Sequence, residues 1–169
     1  DAAQALGSKY SDGKHIGSGS DIASFSFSAP KIISTGQGGA LVTNNSELAS
    51  RIRKLKDFGR STGGNDFHET IGFNFKFTEL QAVIGIEQMK KLDIRVARKK
   101  EIYTAYKDGL ADIEEVELFD CDLNSNSPWF YDCRVELRGG LMNHLRENGI
   151  GTREMYPPIN EQPFIKYKD

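Results

Sequence analysis

Cysteine is scarce. Cys121 and Cys133 are the only two in 169 residues, which suits reduced thiols in a cytoplasmic protein better than a disulfide scaffold. The three histidines, His15, His68 and His144, are scattered without metal-ligand spacing, so no metal is expected. An excess of one charge is missing too: 22 Lys and Arg against 24 Asp and Glu leave a formal charge of −2. That balance offers no electrostatic footprint for nucleic acid or an anionic membrane. No apolar run approaches the ~20 residues of a membrane span, and no signal-peptide pattern opens the sequence. Nucleotide loops fail as well. Gly13-Lys14 is followed by His15 where a phosphate loop needs a hydroxyl, and Gly17-Ser18-Gly19 lacks the third glycine of a dinucleotide fingerprint. There is no initiator methionine. The opening D-A-A-Q-A-L-G and the closing K-Y-K-D read as a fragment cut from a larger domain.

What is present centres on Asp21 to Thr43, D-I-A-S-F-S-F-S-A-P-K-I-I-S-T-G-Q-G-G-A-L-V-T. Alternation predicts a strand from Ile22 to Phe27 and a second at Ala40 to Thr43, joined by a proline turn and a glycine-rich bend. Ile22, Phe25 and Phe27 are candidates for packing, and Ser24, Ser26 and Ser28 share one face. Lys31 stands where strand gives way to turn. There an amine can reach a cofactor while its backbone stays with the sheet, although most turn lysines are simply solvated. Gly36, Gly38 and Gly39 follow, permitting close approach of other groups or merely closing a hairpin.

Ser-Phe-Ser, a spacer, Lys31 and then T-G-Q-G-G-A-L-V-T together resemble the lysine segment of the DegT/StrS-type sugar aminotransferases, which use pyridoxal 5'-phosphate (PLP). A second match, G-F-N-F-K-F-T-E-L-Q-A-V-I-G from Gly72 to Gly85, is similar to that family's G-Y-N-Y-R-x-S-E-L-Q-A-A-I-G signature. The resemblance covers nearly the whole chain. It implies an α/β fold: part of a fold type I, PLP-dependent transferase large domain over 1–92, followed by a linker helix and small α+β domain over 93–169. Lys31 would then form the covalent link to PLP and shuttle the substrate proton. Asp1 would contact the pyridine nitrogen, Gln4 the cofactor's oxygens, and Ser26 the phosphate. Asn74 would reach the phosphate of the neighbouring subunit, so active sites would be shared within a homodimer. Lys76 stands where arginine is commoner, keeping the charge but losing the planar fork. Arg60 and His68, in a glycine-rich loop, are candidates to meet an anionic substrate, and Tyr156, before Pro157-Pro158, resembles a Tyr-x-Pro segment at the site's mouth.

The implied reaction moves an amino group, from glutamate, to a keto group of a nucleotide-linked deoxysugar, for cell-surface polysaccharide or antibiotic sugar biosynthesis. A related sugar dehydratase carries histidine at the lysine position, and Lys31 disfavours that route. A non-catalytic regulator or interaction module on the same fold is the alternative from another class.

Elsewhere the pattern predicts a helix from Ser46 to Asp57, capped by Ser46, with Leu48, Ile52 and Leu55 on one face. Thr78 and Gln81 form a capping box, with Leu80, Val83, Ile84 and Ile86 expected on the buried side of the helix that follows. Helix is expected to run on from Met89 to Leu110 with a kink near Leu92-Asp93. Strands are predicted at Glu117 to Phe119 and Trp129 to Leu137, and a helix from Leu141 to Asn148 stopped by Gly149.

Overall fold

The structure, a computed structural model, describes residues 1–64 and 66–165. Strands β1 (Ala23–Ser26) and β2 (Gly39–Val42) pair antiparallel, with Ala23 opposite Val42 and Ser26 opposite Gly39. β1 is shorter than the alternation suggests. Ala23, not Ile22, is the buried residue at its start, and Ile22 is 42% exposed outside the ladder. Thr43 also leaves the predicted strand; its hydroxyl turns back to donate to the Asp21 carbonyl. Phe27 packs edge-on against Phe77, ring centres 6.4 Å apart.

Helix α1 (Ser46–Lys56) begins one residue after its true cap. Asn45 is in extended geometry, and its side-chain oxygen accepts from the amides of Glu47 and Leu48. Asn45 therefore takes the role expected of Ser46, since either residue type can satisfy the free amides of a first turn. The segment from Gly72 to Lys76 then folds back along the end of α1, with the Phe73 amide donating to the Leu55 carbonyl at 2.7 Å.

Helix α2 (Glu79–Met89) carries the predicted capping box, Thr78 and Gln81 satisfying each other's amides. Its apolar stripe, however, is not buried. Leu80 is 80% exposed, and Val83, Ile84 and Ile86 are exposed with it. Among the described residues no element covers that face. The helix also ends rather than kinks: Lys90 and Lys91 break it, and α3 (Leu92–Gly109) starts afresh. On α3 the buried side chain is Tyr103, whose hydroxyl donates to the Phe119 carbonyl at 2.8 Å. Tyr106 is exposed but stacks on Tyr131, ring centres 5.4 Å apart.

Beyond α3, β3 (Val116–Leu118) pairs antiparallel with β4 (Cys133–Val135), and Glu117 faces Arg134 across the ladder in an ion pair of 2.9 Å. β4 occupies only the middle of the predicted Trp129 to Leu137 strand. Trp129 itself belongs to a loop with a different task. Helix α4 (Arg138–Glu147) starts before Leu141, running through Gly139 and Gly140 despite their low helix propensity, and Gly149 with φ of +75° follows its end. Among the described residues no helix is long and apolar enough to cross a membrane.

Candidate active site

The turn that presents Lys31 is fastened from both ends. Its amide donates to the Ser28 carbonyl at 3.1 Å, and the Thr35 amide returns to the Phe27 carbonyl at 3.0 Å. Ile33, 1% exposed, and Thr35 anchor it inward. Two side chains from distant sequence take the carbonyls that flank the lysine. Trp129 donates its indole N–H to Pro30 at 3.0 Å, and Arg95 of α3 donates to Ile32 at 2.9 Å. Arg95 is itself held by Gln88.

The Lys31 amine lies over the Trp129 ring, 3.5 Å from its centre. Burial pushes the Lys31 pKa down, because the charged form loses hydration. That direction favours the neutral form, the one that acts as a nucleophile or proton acceptor. The Trp129 loop is secured in turn. Lys99 donates to the Trp129 carbonyl at 3.0 Å, Phe130 stacks on the indole, and the Ser127 amide donates to Ser8 Oγ at 2.9 Å.

Lys31, Gln4, Ser26, Ser127 and Trp129 line one small cavity of about 10 Å³. Three of the residues expected from sequence thus meet in one place. Asp1 joins them along the strand. Its carboxylate accepts from the Ala3 amide at 2.9 Å and from the Ser24 hydroxyl at 3.2 Å, while the Ala2 amide bonds the Ser24 carbonyl. Ser26 donates to Ser28 at 3.1 Å and accepts from the Ser28 amide. Ser24 and Ser26 point to the same face of β1, about 7 Å apart at two residues of strand, comparable to the span of a substituted pyridine ring. A carboxylate at one end, hydroxyls at the other and an amine beside them form a donor set that fits PLP. Ser127 Oγ agrees with this: it is buried at the cavity and among the described residues has no hydrogen-bond partner, a polar atom left for an occupant. The cavity holds about one water as it stands.

Arg60, Asn74 and His68 gather elsewhere, around Asp57 and Phe58. Arg60 bonds the Asp57 carboxylate at 2.7 Å and Lys76 at 3.0 Å, which holds Asp57 below the usual carboxylate range, Arg60 contributing most. Asn74 pairs backbone to backbone with Asp57, and His68 Nδ1 lies 2.8 Å from the Phe58 carbonyl. Tyr156 sits in a loop under the Arg153 guanidinium at 4.3 Å and does not line the Lys31 cavity. Sequence reasoning missed Trp129, Arg95 and Ser127. Nothing local marks them, for each acts on a turn far away in the chain.

Comparison with known proteins places the chain in a family. The chain matches the DegT/DnrJ/EryC1/StrS aminotransferase family over residues 1–169. It is 34% identical over 171 residues to the GDP-perosamine synthase of Escherichia coli O157:H7, covering 99% of this chain and 46% of that protein. It is 36% identical over 166 residues to a dTDP-3-amino-3,4,6-trideoxy-alpha-D-glucose transaminase of Streptomyces venezuelae, covering 96% of this chain and 43% of that one. The structure superposes on S. venezuelae DesV, solved in complex with a ketimine intermediate, with a TM-score of 0.86 and 34% identity over 97% of this chain and 44% of DesV. The chain therefore spans a little under half the length of these relatives. Its α/β architecture is that of fold type I, and it belongs to the DegT/DnrJ/EryC1/StrS family of PLP-dependent aminotransferases.

Proposed function

We propose that the protein carrying this chain transfers an amino group from glutamate to a keto group of a nucleotide-linked deoxysugar, in the biosynthesis of a cell-surface polysaccharide or an antibiotic sugar. It acts in the cytoplasm as a homodimer with shared active sites. The observation that carries the reading is the half-buried Lys31 amine, set beside Ser26 and Gln4 on the face of β1 that Asp1 also joins.

PLP, when bound, supplies the sink for the electron pair released at the donor's α carbon. The chain's own groups do the rest. Asp1 holds a proton on the ring nitrogen by placing a negative charge beside it. Ser26 donates a hydroxyl hydrogen bond to the phosphate, and Asn74 of the second subunit donates its amide there. Gln4 steadies the ring oxygens. Lys31 takes the proton from the donor's α carbon and returns it on the other side of the transfer. Arg60 and His68 meet the anionic substrate, and Tyr156 flanks the mouth. Residues 1–92 belong to the large domain, and 93–169 form the linker helix and small α+β domain.

The experiment is reduction of the full-length, PLP-loaded enzyme with borohydride, followed by peptide mass spectrometry. A phosphopyridoxyl mass on Lys31 is expected, and Lys31→Ala should carry none and lose transamination of a nucleotide keto-sugar panel. Turnover that survives Lys31→Ala removes this assignment.

A further inference from the structure

The tryptophan that meets Lys31 is the only one in the chain, and the sequence motifs of the site do not include it. We propose that Trp129 is a positioning residue for Lys31: its indole face is where the free amine rests whenever it is bonded to nothing else. The inference rests on the catalytic reading of Lys31 given above.

Three observations carry it. The amine lies 3.5 Å from the ring centre, well inside the ~6 Å reach of a cation–π contact. The ring is also not free to turn. Its N–H is bonded at 3.0 Å to Pro30, the residue directly before Lys31, so indole and lysine backbone are locked to one another. Behind the ring, Phe130 stacks at 3.9 Å and Lys99 holds the Trp129 carbonyl at 3.0 Å. Finally, among the described residues Lys31 has no ion pair.

The choice of an aromatic face over a carboxylate makes chemical sense. A carboxylate would stabilise the ammonium strongly and keep its proton. An indole face holds the group in position while binding it weakly enough to release. It also shields the amine on one side, leaving the cavity of Gln4, Ser26 and Ser127 as the direction in which it can move. Lys31 then has two stations a rotamer change apart, the indole and the cavity.

The test needs no turnover. In the full-length protein stripped of PLP, competitive acetylation with trace acetic anhydride across pH, read by peptide mass spectrometry, gives each lysine a titration midpoint and a plateau reactivity. Lys99, on α3 and bonded to the Trp129 carbonyl, is the internal control. Trp129→Leu is expected to raise the Lys31 plateau about fivefold, while Lys99 stays within about twofold of wild type. Trp129→Phe keeps an aromatic face and should hold Lys31 within about twofold of wild type. An unchanged Lys31 plateau in Trp129→Leu overturns the proposal. So does a parallel rise at Lys99, which would mean general loosening, or a Trp129→Phe that behaves like Trp129→Leu. Borohydride trapping of wild-type enzyme is run beside it. PLP found on a lysine other than Lys31 would defeat the catalytic reading, whereas Lys31 trapped normally with an unaltered plateau would defeat only the role given to Trp129.

Discussion

Asp57 shows how much one side chain organises in the loop region. It ties Arg60 and Lys76 to the end of α1, and both cations also face the ring of Phe58, at 5.1 and 4.1 Å. Phe58 itself has φ of +58°, a conformation bulky residues rarely adopt. The Asp57 carboxyl is depressed below its usual 3.8 by the hydrogen bond from Arg60, then that from Lys76. A carboxyl depressed in the folded state stabilises it fully above the ordinary value, and that contribution fades as pH falls through the depressed one. Asp57→Asn should therefore melt below wild type at pH 7, and the two melting curves should converge as the pH is taken below that depressed value. Equal melting at pH 7 would show that the pairs hold nothing together. At this scale the sequence was informative about chemical type and silent about partners. Asp1, Gln4, Ser26 and Lys31 follow from motif positions, but a single Trp in S-P-W-F gives no hint that its N–H ends on Pro30.

Elements were legible where the signal is local. The box of Thr78 and Gln81 can be read three residues apart, and the structure forms it as expected. Boundaries failed where two neighbours could serve equally, as with Asn45 and Ser46, or where glycines hide a helix start, as at Gly139 and Gly140. The apolar stripe of α2 was read as buried because periodicity reports a preference for cover, not the presence of it. Gln81 has a second duty the motif does not reveal: its side-chain NH₂ donates at 2.8 Å to the Gln37 carbonyl in the glycine-rich bend after Lys31. Thr78→Ala should cost about 1 kcal/mol through the cap alone. Gln81→Ala should add faster amide exchange at Gly36 to Gly39, which Thr78→Ala leaves unchanged. Equal exchange in the two variants would mean that α2 does not brace the bend.

Apart from Tyr156, the expected site residues fall in two groups, one around Lys31 and one around Asp57 with Asn74. The shared site proposed above would bring the two groups together, each subunit supplying the one the other lacks. Mixing full-length Lys31→Ala with Asn74→Ala, each poorly active alone, should restore about a quarter of wild-type activity, since half the random dimers carry one intact site. No recovery on mixing would place both residues in the same subunit's site. In the sequence only the family resemblance pointed to sharing between subunits, because a contact between copies leaves no periodicity in one copy.

The bonds from Trp129 to Pro30 and from Ser127 to Ser8 join residues 99 and 119 positions apart. On the ribosome, then, the lysine turn emerges long before the strap that fastens it. For much of synthesis the Pro30 carbonyl must rely on water, and any nascent polypeptide released before Trp129 is added would display an unfastened amine to every aldehyde in its surroundings.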